Sequence, residues 1–201
     1  AMMGVEEPNW RAPLFEDTLA RIAREARPDA AFVVNSPSGG GLPFHADAGV
    51  SHYYGVGAYR RPLDDARRAK VRFASECLGF ANVPETRALH RDFGTAPLAS
   101  PLWGPRIPRD QGAMQDFEEV RDHYLGLLYD VDPARLKVEA PERYLDLSRA
   151  AVAETIEATI AEWRRPGSSC AGALVWFWKD LWASSGWGVL DWTGAPKSPW
   201  W

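Results

Sequence analysis

The chain has 201 residues, 46% of them hydrophobic and 25% charged, an ordinary balance for one globular domain with a sizeable core. Its net charge of -4, with the basic residues scattered along the chain, removes the electrostatic case for a nucleic-acid partner. No apolar run is long enough to cross a membrane as a helix, and the two cysteines, Cys77 and Cys170, stand far apart in apolar settings that fit thiols better than a disulfide framework or a zinc site.

Residues 12–27 bring Leu14, Phe15, Leu19, Ile22 and Ala23 onto one face at helical spacing, and Pro13 suits a first turn, so a helix is predicted there. Pro28-Asp29 ends it. Ala31-Phe32-Val33-Val34 predicts a short buried parallel strand that opens into a stretch of turn formers, 35–41. A loop with His45 and Asp47 leads to a second strand candidate at 52–56. Residues 63–70 predict a short helix, 71–76 a third strand ending on Glu76, and Pro84 opens a helix to about His90. Several Pro and Gly make 91–112 irregular. Residues 114–130 and 141–163 predict two long helices, and 172–178 a fourth strand. No internal repeat stands out.

Strands alternating with helices predict an α/β fold with a parallel sheet. Four such strands make half of a (β/α)8 TIM barrel, a fold that gathers its chemistry at the C-terminal ends of the strands. Here those ends carry Asn35-Ser36, His52-Tyr53-Tyr54, Ser75-Glu76 and Trp176 through Asp180. The opening Ala-Met-Met-Gly-Val has no basic segment or long apolar run of a secretory signal, and the chain stops on the apolar pair Trp200-Trp201; the expectation is a domain, residues 1–201, cut from a longer protein.

Glu76 is the sharpest chemical candidate. A carboxylate at the end of an apolar strand is costly to bury unless it is hydrogen-bonded or used. Retaining glycosidases need such a group as nucleophile, although a surface Glu, or one paired with Arg72, fits the same residues. Of the ten tryptophans, Trp176, Trp178, Trp182, Trp187, Trp192 and Trp200 fall close together, with Trp201 after them. Indole faces suit stacking on sugar rings, and they equally suit a Trp-rich core. His45, Asp47 and His52 match no strong metal-ligand spacing. Glu6 and Glu7 lie in a loop-like run and read as solvated charges.

Arg72-Phe73-Ala74-Ser75-Glu76, followed by Gly79-Phe80 and Pro84, resembles the nucleophile strand of glycoside hydrolase family 2 β-mannosidases, with one extra residue between Glu76 and Gly79. Ser36-Pro37-Ser38, then Ser51-His52-Tyr53-Tyr54-Gly55-Val56, then Gly172 through Asp180, Trp182, Trp187, Asp191, Gly194, Pro196 and Lys197 are similar to further elements of that family, in the same order. The chain departs from the pattern at Phe177-Trp178-Lys179, where Gln-Leu-Asn is usual, at Cys77, where an aromatic is usual, and at Ala183, where Pro is common.

The resemblance implies the C-terminal half of the catalytic barrel, about strands 5–8, of a retaining β-glycosidase with β-mannosides as leading substrates. It implies Glu76 as the nucleophile and an acid/base Glu on a strand upstream of Ala1. The partners it implies are a β-glycoside or oligosaccharide, the other half barrel, and β-sandwich domains of a parent chain; no metal or organic cofactor is required. Trp176 and Trp182 would floor the sugar site, Asp180 would bond sugar hydroxyls or hold a neighbour, Tyr53 or Tyr54 would donate to Glu76, and His52 would contact the sugar. The other reading is a non-catalytic carbohydrate-binding barrel that kept the Trp platform.

Overall fold

The computed structural model describes residues 12–42 and 45–201. Three parallel strands, β1 (Ser51–Tyr53), β2 (Ala74–Cys77) and β3 (Ala173–Val175), lie side by side in chain order. Parallel neighbours need long crossovers, and helices supply them. Before β1 comes a π-helical turn, Leu14–Leu19, running into helix α1 (Ala20–Ala26). Helix α2 (Asp65–Arg68) joins β1 to β2. The second crossover holds α3 (Thr86–Phe93), two short 3-10 turns, α4 (Phe117–Tyr129), α5 (Pro133–Glu139) and the long α6 (Pro141–Arg164). The fold is mixed α/β.

Local chemistry explains where the main helices start. Asp116 caps α4 by accepting from the Glu119 N–H at 3.0 Å while the Glu119 carboxylate accepts from the Asp116 N–H at 2.8 Å, a reciprocal capping box. Asp132 accepts from the Ala134 and Arg135 N–H groups ahead of α5, with Pro133 in the first turn. Helix α6 opens on Pro141 and buries Tyr144, Leu145, Val152, Ile156 and Trp163 along one stripe. Each such side chain contributes about 1.5–3 kcal/mol when fully buried. Two polar ties hold α6 against the rest of the fold: Trp163 Nε1 donates to the Ala66 carbonyl in α2 at 3.1 Å, and Arg149 donates twice to the Pro84 carbonyl ahead of α3, at 3.0 and 2.8 Å.

Strand β2 carries one more residue than its neighbours require. Ser51 pairs with Ala74 but His52 with Glu76, and on the other side Ala74 and Cys77 span what Ala173 and Val175 span in β3. A bulge of this kind bends a strand and re-aims its side chains. Beyond Cys77 the backbone turns through Leu78 at φ 58, a left-handed conformation that costs a non-glycine residue about 1–2 kcal/mol. The Leu78 side chain is fully buried, which offsets that cost, and the left-handed turn falls within the one-residue insertion before Gly79.

Two expectations fail. The predicted strand at 31–34 does not form; Val33 is half exposed, and the backbone that follows first bonds the sheet region at Ser38, which exchanges two 2.8 Å backbone hydrogen bonds with Val50. An apolar run becomes a strand only where a neighbour accepts its ladder. The helix at 12–27 forms, but Leu14, Phe15, Leu19 and Ile22 are exposed rather than packed. No helix among the described residues is long and apolar enough to cross a membrane.

Candidate active site

The bulge in β2 and the β1 register place Glu76 beside His52, with Tyr54 just past the end of β1. The Tyr54 hydroxyl donates to Glu76 Oε2 at 3.0 Å, and His52 Nδ1 stands 3.4 Å from the same oxygen. Burial, then the facing Glu76 carboxylate, push the Tyr54 phenol far above its ordinary value, so it stays protonated and remains a donor. Behind His52, Nε2 lies 2.8 Å from Ser36 Oγ, which is 2.6 Å from Ser75 Oγ. The Glu76 side chain is 29% exposed.

Glu76 and Tyr54 line a cavity of about 260 Å³ with Tyr59, Asp110, Phe117, Trp176 and Trp187. Its apolar wall is an aromatic cluster. Trp176 stacks on Phe177 with ring centres 5.4 Å apart and meets Trp187 edge to face at 6.0 Å; Phe117 meets Trp187 at 5.1 Å. The Trp176–Phe177 peptide is cis. Cys77, next to the carboxylate in sequence, is fully buried, and burial pushes its thiol up to about 12.

Of the expected site residues, Glu76, Tyr54, His52 and Trp176 are brought together. Tyr53 is not: β-strand alternation turns it into the core, where its hydroxyl donates to Asp65 Oδ2 at 3.0 Å and accepts from the Val56 N–H at 3.2 Å. Asp180 does not line the Glu76 cavity. It is buried, with Oδ2 on the Lys197 ammonium at 2.5 Å and Oδ1 on the Gly188 N–H at 2.8 Å, so of its two expected roles the geometry fits the holding of neighbours. Burial pushes the Asp180 carboxyl up and the Lys197 ammonium down from their ordinary values. Trp182 is exposed and stands outside the Glu76 cavity. Glu6 and Glu7 lie outside the described residues.

Sequence reasoning missed Tyr59, Asp110 and Phe117 as parts of this cavity. Asp110 sits in the Pro/Gly-rich stretch between helices, where no periodicity marks a residue as inward-facing. Phe117 falls inside the predicted 114–130 helix, with nothing in the sequence to mark it as facing a cavity. Among the described residues no group of three or more His, Cys, Asp or Glu side chains is arranged to hold a metal ion.

No protein-family model matches the chain. It is 27% identical over 193 residues to a protein named Beta-mannosidase B from Thermothelomyces thermophilus, an alignment covering 92% of this chain and 22% of that protein. The chain therefore spans about a fifth of the length of the curated relative it matches. In three dimensions it is similar to a β-D-mannosidase from Dictyoglomus thermophilum, with a TM-score of 0.76, 18% identity, and coverage of 98% of this chain and 23% of that one. The chain is β-mannosidase-like in sequence and shares its fold with part of a β-mannosidase.

Proposed function

We propose that these residues are the C-terminal half of the (β/α)8 catalytic barrel of a retaining glycoside hydrolase that removes terminal β-linked sugars, with β-mannosides as the leading substrates. The observation that carries the reading is Glu76. It lies one residue before the end of a parallel strand and lines an aromatic-walled cavity, with Tyr54 Oη on one of its carboxylate oxygens and His52 beside it. The similarity to proteins named as β-mannosidases supports the same reading.

In this mechanism a Glu76 oxygen attacks the anomeric carbon as the bond to the leaving oxygen breaks. An acid/base Glu, carried by a part of the protein upstream of this chain, protonates that oxygen. The product of the first step is a glycosyl ester on Glu76. The upstream Glu then takes a proton from water, which attacks the same carbon and frees the carboxylate. Tyr54 keeps Glu76 aligned, and Trp176 with Trp187 offers an apolar wall to the face of the sugar ring. Asp110, on the same cavity, supplies an acceptor for sugar hydroxyls.

The test is turnover of a panel of p-nitrophenyl β-glycosides by the full-length protein, with Glu76→Gln as control. Release from the β-mannoside that disappears in the variant supports both nucleophile and sugar. Near-normal turnover by Glu76→Gln would sink the assignment. Saccharide binding without release from any substrate would favour a carbohydrate-binding barrel that has lost its chemistry.

A further inference from the structure

Both close contacts to Glu76 fall on Oε2, and Oε1 takes no hydrogen bond among the described residues. An ionised carboxylate only accepts, and so does a bare ring nitrogen. His52 Nδ1 stands 3.4 Å from Oε2, longer than an ordinary hydrogen bond, and at that distance a ring N–H is attracted to the carboxylate where a bare nitrogen would be repelled, which favours the hydrogen on Nδ1. That leaves Nε2 as the ring atom whose state can vary, and it lies against a short chain of hydroxyls. Ser36 Oγ is 2.8 Å from Nε2 and 2.6 Å from Ser75 Oγ, which in turn reaches the Ser51 carbonyl at 3.2 Å.

This chain can run in either direction because each hydroxyl both donates and accepts. With a neutral ring, Ser75 donates to Ser36 and Ser36 donates to the bare Nε2. With a cationic ring, Nε2–H donates to Ser36, Ser36 donates to Ser75, and Ser75 donates to the Ser51 carbonyl. The neutral arrangement gives up the 3.2 Å hydrogen bond from Ser75 to the Ser51 carbonyl and the cationic one keeps it; in both, Nδ1–H faces Glu76. We infer that Ser36 and Ser75 form a reversible hydroxyl relay that holds His52 as an Nδ1–H donor to Glu76 Oε2 in either charge state of the ring, and so reserves Oε1 as the attacking oxygen.

Ser36 and Ser75 are positioning residues that act through His52. The bulge in β2 is what makes the relay possible, because Ser75 is the extra residue and its hydroxyl meets a chain segment that is not part of the sheet. The role of Oε1 rests on the glycosidase reading; the state of the His52 ring does not.

Two measurements on the full-length protein separate them. Histidine 15N NMR, with the His52 signal assigned by its loss in His52→Gln, reads the tautomer directly. The wild type should show Nδ1–H in the neutral ring. Ser36→Ala and Ser75→Ala should raise the share of the Nε2–H form, since the partner of one ring nitrogen selects the tautomer at the other, and Ser36→Thr should restore Nδ1–H. An Nε2–H ring in the wild type, or an unchanged tautomer in Ser36→Ala, would overturn the relay whether or not any sugar is cleaved. The second measurement uses 2,4-dinitrophenyl β-mannoside, whose leaving group needs no protonation, so the pre-steady-state burst of dinitrophenolate reports attack by Glu76. Ser36→Ala should slow the burst about tenfold, and Ser36→Thr should recover it. An unchanged burst rate in Ser36→Ala would overturn the positioning role. A wild type that releases no dinitrophenolate would remove the glycosidase reading, and the tautomer would still decide the relay.

Discussion

Removing either member of the Asp180–Lys197 pair should be among the most damaging single changes in this chain. Lys197 is fully buried, and its ammonium donates to the carbonyls of Asn82 at 3.0 Å and Gly186 at 3.2 Å as well as to Asp180. Asp180→Ala leaves that charge with two carbonyls and no counter-ion, and Lys197→Met leaves a buried carboxylate with one backbone N–H. Breaking a buried pair in this way costs about 3–5 kcal/mol, a large share of a typical domain's 5–15 kcal/mol. The double variant Asp180→Leu/Lys197→Met removes both charges together. What remains unsatisfied is chiefly the Gly188 N–H and the two carbonyls, so its cost should be about 1–3 kcal/mol rather than the sum of the singles. Urea unfolding of all four proteins, followed by tryptophan fluorescence, completes the cycle, because Trp176 and Trp187 flank the affected loop. Additive losses in the double variant would refute the argument. So would single variants within about 1 kcal/mol of wild type.

Tyr54→Phe keeps the ring and deletes the 3.0 Å hydrogen bond to Glu76, a bond to a charged group worth about 1.5–3 kcal/mol, so kcat/KM on a β-mannoside should fall roughly ten- to hundredfold with the far-UV spectrum unchanged. A loss of less than about twofold would mean that Tyr54 does not align the carboxylate. Glu118 supplies a pH test. Burial opposes its ionisation, but Arg121, then Lys137, and the Trp103 indole N–H hold its carboxyl below the ordinary 4.5. A carboxyl depressed in the folded state stabilises above its unfolded value, and that stability is lost as pH falls through the folded value. The stability gap between wild type and Glu118→Gln should therefore be full above pH 4.5 and close below it, as followed by urea midpoints across pH; a gap independent of pH would contradict the assignment.

Much of the candidate site was legible because its key residue breaks a pattern. Residues 71–76 read as a strand ending on a carboxylate, which invites a chemical role even though a surface Glu or a pair with Arg72 fits the same residues. The partner of that carboxylate was legible only as a choice between Tyr53 and Tyr54. Strand alternation decides it: one ring must point into the core, and the bulge at Ser75 determines which neighbour meets Glu76. Asp180 was legible only as a choice between bonding a sugar and holding a neighbour. The residue it holds, Lys197, arrives later in the chain, and no spacing marks the two as a pair. Residues 31–34 have the composition of a strand, but pairing is a property of two segments and composition describes one. Helix α5 went unread although Asp132-Pro133 carries both an N-cap and a first-turn proline.

Cys77 gives this protein an internal clock. Its sulfur is sealed beneath the sheet and donates to the Leu174 carbonyl at 3.4 Å, and its thiol is pushed up to about 12, so little of it is the reactive thiolate near neutral pH. Cys170 is only partly buried. An alkylating reagent should therefore mark Cys170 first and reach Cys77 only when β2 detaches from β3, so the lag between the two labels measures how often the strand that carries Glu76 comes loose.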